Sequence, residues 1–106
     1  MIKRPEIHPI TLPRVPHYQM HKTACGVPLY ALHNSTQGVV RVSFVFRAGT
    51  SYQSAPFSAS TVVNTLSEGT QNLSGREIAE GLDYVGSYYD ANIDRDWAVV
   101  TFCSLK

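Results

Sequence analysis

The side chains that could do chemistry in this 106-residue chain are few and widely spaced. His17 and His21 are four positions apart, a spacing that places two metal ligands on one face of a helix. Pro16 stands directly before them and disfavours a helix at that point. We therefore interpret both as surface residues of an extended segment. The other two histidines, His8 and His33, have no partner close in sequence, and no histidine follows His33.

Acidic and hydroxyl groups offer two further candidates. Asp90, Asp94 and Asp96 are close enough in sequence to suggest a pair of carboxylates of the kind that hydrolyses glycosides. Their spacing suits a hairpin turn and the charged edge of a sheet better, and we favour that interpretation. Ser60 lacks a G-x-S-x-G context and an activating histidine, so we assign it to the first turn of a helix.

Cys25 and Cys103 are the two cysteines. They do not form a C-x-x-C pair, and two cysteines do not make a disulfide framework for a chain of this size. We expect both thiols to be reduced, with Cys103 packed in a strand.

Composition excludes several classes of function. Hydrophobic residues make up 43% and charged residues 16%, which is typical of a globular domain with a core. The formal net charge of +1 gives no electrostatic footprint for nucleic acid or for an anionic membrane. No apolar run reaches the roughly 20 residues that cross a bilayer, and the N-terminal residues show no signal peptide. We expect a cytoplasmic protein with no nucleic-acid or membrane partner.

The elements that would position these groups follow from proline content and hydrophobic period. Residues 1–22 hold four of the six prolines and predict an extended arm. Residues 23–106 predict one folded domain. Strands are expected where apolar and polar residues alternate or cluster with β-formers, and helices where the period is 3.6. The predicted elements are strands at 27–33 and 39–47, helices at 59–66 and 75–85, and strands at 87–93 and 97–105.

Three local patterns support this assignment. Val40, Val42, Phe44 and Phe46 alternate along one strand and predict a buried face. A capping box that begins at Ser74 marks the start of the second helix. The order β-β-α-α-β-β, with helices grouped between strands, predicts an α+β fold in which two helices pack on one face of a mainly antiparallel sheet.

Four segments then resemble, in order, motifs of the pitrilysin/insulinase family of zinc peptidases, which includes the mitochondrial processing peptidases. Residues 46–52 (FRAGTSY) resemble its V-R-A-G-S-x-Y segment, and residues 74–82 (SGREIAEGL) resemble its S-A-R-E-I-A-E-x-L helix. Val85-Gly86 with Asp90-Ala91 is similar to L-G-G-x-x-N-A, and residues 94–97 (DRDW) are similar to S-R-E-Y. The resemblance covers residues 23–105 and implies the first part of a processing-peptidase-like domain.

The resemblance also locates the place of the catalytic motif. Family members carry H-x-x-E-H on the helix before a Gly-Thr pair, with two zinc-binding histidines and a glutamate that acts as general base. Counting back from Gly69-Thr70 puts Ser60 and Asn64 at the histidine positions and Val63 at the position of the base. Serine and asparagine are poor zinc ligands, and valine cannot take a proton. We therefore expect no catalytic residue, no bound zinc and no peptidase activity, although active relatives use zinc.

A peptide-binding role survives this loss. The family resemblance implies that an extended peptide adds to the strand that holds Tyr88, Tyr89, Asp90, Ala91 and Asn92, and strand addition needs a free edge rather than particular side chains. Asp90 stands where the family usually has asparagine. Ordinary pairing within the sheet is the simpler interpretation of this segment.

Three functions remain open on the sequence alone. The leading hypothesis is an inactive partner that joins an active subunit of the same family in forming a peptide-binding chamber. The alternatives are a working zinc metalloendopeptidase with ligands outside the degenerate motif, and a purely structural subunit of an assembly. Since the segments that would cover the sheet are not in this sequence, we also expect the chain to self-associate.

Overall fold

The structure is a computed structural model that describes residues 5–6, 8–9, 12, 16–33 and 38–105. Contacts divide the chain into two compact units, Met1–Thr36 and Gln37–Lys106. The predicted domain boundary after residue 22 falls within the first unit and stays a prediction. Much of the predicted arm, residues 1–22, lies outside the described residues.

The first unit contains an antiparallel hairpin. Strand β1 (Gln19–Lys22) pairs with β2 (Pro28–Ala31), so the end of the predicted arm is itself a strand. Gly26 takes a positive φ of 86° in the connecting turn, a backbone conformation that glycine adopts without strain. Within that turn the Thr23 hydroxyl lies 3.2 Å from the Cys25 sulfur. This hydrogen bond is the main reason that the pKa of the exposed Cys25 thiol is lowered.

The second unit contains the sheet and both helices. Its elements in chain order are β3 (Val39–Phe46), a single 3-10 turn (Thr50–Tyr52), α1 (Ser58–Thr65), α2 (Gly75–Tyr84), β4 (Tyr88–Ile93) and β5 (Ala98–Leu105). The sheet order is β3-β5-β4 and every pair is antiparallel. The predicted α+β class and the order of its strands and helices are therefore confirmed, with β1 as an additional strand.

The strand register assigns each side chain to one of two faces, because successive residues of a strand point to opposite sides. The apolar face comprises Val40, Val42, Phe44, Phe46, Tyr89, Ala91, Ile93, Ala98, Val100 and Phe102. The polar face comprises Arg41, Ser43, Val45, Tyr88, Asp90, Asn92, Val99, Thr101 and Cys103. Both helices lie over the apolar face, since residues of α1 and α2 line a cavity of about 480 Å³ together with that face.

The apolar face is less covered than the alternation in β3 predicts. Phe44 and Phe46 keep 50% and 51% of their surface exposed, although both line the cavity beneath the helices. The buried side chains of the described residues are small or medium, namely Val63, Ala98, Thr101 and Cys103. The prediction of a buried β3 face is thus wrong in extent, because two short helices cannot cover an eight-residue edge strand.

The start of α2 follows the predicted capping box. Ser74 Oγ accepts a hydrogen bond from the Glu77 amide at 3.3 Å, and the Glu77 carboxylate accepts one from the Ser74 amide at 2.8 Å. The helix ends at Tyr84, and Gly86 then takes a positive φ of 61°. Its amide donates to the Asp83 carbonyl, which turns the chain towards β4.

Candidate functional site

The three residues that the family resemblance assigns to the catalytic motif lie on α1. Ser60, Val63 and Asn64 are three and four residues apart and so share one side of the helix. Ser60 Oγ donates a hydrogen bond to the Phe57 carbonyl at 3.0 Å, which satisfies it within its own helix turn. Asn64 is exposed to solvent. Two of the three side chains are therefore polar groups at or near the surface.

Val63 differs from the other two. It is only 7% exposed and lines the cavity between the helices and the sheet. Its side chain is part of the small core of the second unit, so Val63 has a packing role. A carboxylate placed there would lose its hydration, which is unfavourable without a compensating partner.

Metal-ligating side chains are dispersed in the described part of the chain. No three His, Cys, Asp or Glu side chains among the described residues come close enough to hold a metal ion together. His21 lies in β1 rather than in a helix, and in extended chain four residues span roughly 13 Å. That separation is too long for His17 and His21 to bind one ion.

Phe57, which no sequence pattern singles out, precedes the first turn of α1. It adopts the left-handed conformation at φ 65°, which is uncommon for a residue with a bulky side chain, and it is 77% exposed. It makes no side-chain capping bond to the helix. Instead, Gln53 Oε1 accepts a hydrogen bond from the Ala59 amide at 3.4 Å, so the preceding loop supplies the acceptor for the first turn.

The loop before α1 is held by the turn between β4 and β5. The amides of Gly49, Thr50 and Ser51 donate to the carbonyls of the 94–96 turn at 3.2, 3.0 and 2.8 Å. Gly49 is buried, and a Cβ atom on it would lie 2.5 Å from backbone atoms of Arg95 and Asp96. Two segments that were singled out separately in the sequence, 46–52 and 94–97, are thus one structural feature.

The acidic group near this turn is divided between turn and strand. Asp94 Oδ1 accepts hydrogen bonds from the amides of Asp96 and Trp97 at 2.8 and 2.7 Å, as turn chemistry predicts. Asp96 accepts from the Ser51 hydroxyl at 3.2 Å. Asp90 lies in β4, where its carboxylate accepts from the Asn92 amide group at 2.5 Å. These hydrogen bonds give each of the three carboxylates a structural role, in the turn or in the strand.

Strand β4, which carries Tyr88 to Asn92, is at one edge of the sheet. Among the described residues it pairs with β5 alone. In an antiparallel strand alternate residues direct both backbone groups away from the partner strand, so the free side of β4 offers a row of donors and acceptors. Peptide binding at this edge stays a prediction.

Tyr88 and Cys103 are cross-strand neighbours on the polar face, an association that sequence spacing does not reveal. Hydrogen bonding to the Cys103 side chain is the main reason that the pKa of the Tyr88 hydroxyl is raised. Arg41, which faces Cys103 from β3, acts in the opposite direction. Cys103 is buried and both cysteines are free, as the sequence predicts.

Comparison with solved structures supports the predicted likeness. The chain is similar to the crystal structure of the peptidase M16 inactive domain from Pseudomonas fluorescens, with a TM-score of 0.77 and 26% sequence identity. The match covers 84% of this chain and 22% of that one, so this chain spans about a fifth of that structure's length. No protein-family model and no curated protein matches the sequence. The chain has a peptidase M16-like fold, in agreement with the resemblance to pitrilysin/insulinase-type peptidases.

A helix that crosses a bilayer must be long and apolar. Neither α1 nor α2, the α-helices of the described residues, has the length and apolar character that crossing a membrane requires.

Proposed function

We propose that this chain is a non-catalytic peptidase homologue that joins an active subunit and helps to form its peptide-binding chamber. The observation that carries this proposal is the packing of Val63. The position of the general base is occupied by a core side chain that is 7% exposed, on a helix that otherwise keeps its place over the sheet. The fold is similar to that of a peptidase M16 domain described as inactive, and this similarity also supports a non-catalytic role.

The edge strand β4 would allow a non-catalytic subunit to bind peptide. Strand addition depends on backbone groups, so it is chemically independent of zinc and of the residues on α1. We propose that an extended peptide pairs with the stretch from Tyr88 to Asn92. A peptide held in this way would be presented to an active site supplied by the partner.

Co-expression tests the partner role. The chain would be expressed with a protein that carries H-x-x-E-H and is encoded beside it in the genome, and the complex would be isolated through a tag on either one. The proposal expects co-purification and a higher peptidase activity for the pair than for the active subunit alone. Failure to form a complex, with activity unchanged by this chain, would contradict it.

The absence of zinc is a separate part of the proposal. The side chains at the three motif positions are a hydroxyl, an isopropyl group and an amide, which zinc does not select. Metal analysis of the purified chain after dialysis is expected to find no stoichiometric zinc. Retained zinc at one ion per chain would support the metalloendopeptidase alternative.

Self-association of the isolated chain is also expected, because the apolar face stays half-exposed at Phe44 and Phe46. Sedimentation velocity should show dimers or larger species that decrease with dilution. Phe44→Thr should shift the distribution towards monomer. Val45→Thr is the matched control, because Val45 is 59% exposed on the polar face of the same strand. A monomer at all concentrations would contradict this expectation.

A further inference from the structure

The sheet has two edge strands, and they differ in how far they are protected. Among the described residues β3 and β4 each pair with β5 alone. In β4 every second residue is partly covered, whereas all eight residues of β3 are exposed. β3 contains neither proline nor lysine, the residues that natural edge strands use to discourage pairing with another chain. β3 is therefore the less protected edge.

The backbone of β3 can accept a further strand. Its register with β5 is unbroken from Val39 to Phe46, so no bulge bends it away from a neighbour. In an antiparallel pair, alternate residues direct both backbone groups away from the partner strand. Half of the residues of β3 therefore direct their N–H and C=O groups to the free edge.

Apolar side chains follow the same edge. Phe44 and Phe46 lie on the apolar face and are half-exposed. α1 makes its main contacts with the sheet at β4, the far edge, so β3 lies at the margin of the helical cover. A strand beside β3 would continue the apolar face and bring side chains against these two phenylalanines.

We propose that the strand that pairs with β3 is β3 of a second copy of this chain, antiparallel to it about a twofold axis. The inference rests on the self-association proposed above and names the surface that forms it. The three-stranded sheets of the two copies would join into one continuous sheet. An interface of this kind is closed, so association through β3 ends at the dimer.

The sequence of β3 is complementary to itself. Residues that lie directly opposite each other in antiparallel strands share a face, so an axis through Val42 or through Ser43 keeps both apolar faces on the same side. Phe44 then lies opposite Val40 or Val42 of the second copy, an aromatic–β-branched pair that stabilises sheets. A shift by one residue would place the apolar face of one copy beside the polar face of the other.

The charges of β3 are compatible with this pairing. Arg41 is the charged side chain of the strand. It lies opposite Ser43 of the second copy when the axis passes through Val42, and opposite Val45 when the axis passes through Ser43. The two arginines are not directly opposite in either register, so the interface avoids the destabilising contact of opposed like charges.

Charge substitutions at Val45 test the pairing without touching the apolar face, because Val45 is exposed on the polar face. In both registers it lies opposite or diagonal to Arg41 of the second copy. Relative to the neutral variant Val45→Gln, Val45→Lys should weaken the dimer about fivefold and Val45→Glu should strengthen it about fivefold, the scale of two cross-strand charge pairs. Sedimentation velocity of the full chain would give the dissociation constants.

Asn92→Lys is the matched control at the other edge. Asn92 and Val45 are both paired with Val99, so they lie in the same row of the sheet and on the same face. The control adds the same charge to the chain, but on β4. It should leave the dissociation constant unchanged.

Hydrogen exchange supplies a direct readout of the backbone. The amides of alternate residues of β3 should exchange more slowly at high protein concentration than at low concentration, because pairing protects those that face the free edge. The amides of β4 should exchange at the same rate at both concentrations.

The outcomes separate this interface from the self-association on which it rests. Equal dissociation constants for the three Val45 variants would overturn pairing through β3 while leaving association through the apolar face intact. Exchange of the β3 amides that does not depend on concentration, in a chain that still dimerises, would overturn it in the same way. A chain that stays monomeric at every concentration would contradict the self-association and this inference together.

Discussion

The two helices, α1 and α2, differ in how their first turns are built. α2 begins with a complete capping box, in which Ser74 and Glu77 satisfy each other's backbone amides. α1 begins after Phe57, a left-handed residue without a side-chain cap. The first helix receives a side-chain acceptor from Gln53 in the preceding loop and packs through Val63, whereas the second carries its own start signal. The helix with the predicted motif positions is thus the one that depends more on contacts outside itself.

The largest expected effect is at Gly49, where the loop before α1 meets the β4–β5 turn. Gly49 has an ordinary φ of −71°, so backbone strain is not the obstacle to a larger residue. The obstacle is space, since a Cβ would lie 2.5 Å from the turn backbone. Gly49→Val should lower the free energy of unfolding by more than about 3 kcal/mol, measured by urea denaturation.

Gly81→Ala is the control on α2. A Cβ at Gly81 meets nothing within 4 Å, and alanine is the better helix former, so this change should raise the free energy of unfolding by up to about 1 kcal/mol. If both glycine variants had the same stability, this account of the Gly49 contact would be wrong.

Val63→Glu is the next test, because it places the glutamate of the predicted motif at a packed site. The introduced carboxylate would be poorly hydrated there, and the variant should lose about 2–3 kcal/mol in free energy of unfolding. Asn64→His, at the exposed neighbouring position, should change it by no more than about 0.5 kcal/mol. Equal effects in thermal denaturation would contradict the packing role of Val63.

Ser74→Ala tests the local support of α2. Loss of an N-cap hydroxyl costs about 1 kcal/mol in comparable helices, and that loss is expected in urea denaturation. Ser60→Ala is the matched control on α1, since its hydroxyl donates to a carbonyl and does not cap an amide. A larger loss for Ser60→Ala would reverse the comparison between the helices.

Phe57→Asn should stabilise the chain, because asparagine tolerates the left-handed conformation better than phenylalanine does. A gain of about 0.5–1 kcal/mol is expected from removing part of the strain. Phe57→Ala keeps a residue that disfavours this conformation and should give no such gain. Identical melting temperatures for the asparagine and alanine variants would contradict this account of the α1 start.

The smallest expected effect is a dependence of the unfolding free energy on pH, which arises from the first turn of α2. The hydrogen bond from Ser74 lowers the pKa of the Glu77 carboxyl. The ionised Glu77 carboxylate therefore stabilises the folded chain above its unfolded pKa of about 4.3. This stabilisation is lost as the pH falls through the lowered pKa of the folded state. The difference in unfolding free energy between the natural chain and Glu77→Gln should shrink as urea titrations move from neutral pH to below about pH 4. A difference that grows in acid would contradict the sign of this shift.

Prediction from the sequence succeeded where neighbouring residues determine the structure. The capping box and the Asp94 turn both depend on partners within four residues, and both are found as predicted. The extent of burial was not predictable in this way. The alternation in β3 gives the direction of its side chains, but the cover above Phe44 and Phe46 depends on helices distant in sequence.

The sequence by itself determined the α+β class and the order of strands and helices, whereas the assignment of Ser60, Val63 and Asn64 to the motif stays a prediction. Only the tertiary structure decided that Val63 is a packing residue, that Gly49 touches the 94–96 turn, and that β4 lies at an edge of the sheet. The physical reason is the separation in sequence between the residues that interact. Capping and alternation act over a few residues, whereas burial, close approach and sheet order depend on segments that are not neighbours in sequence, such as Gly49 and the 94–96 turn, which the chain brings together only on folding.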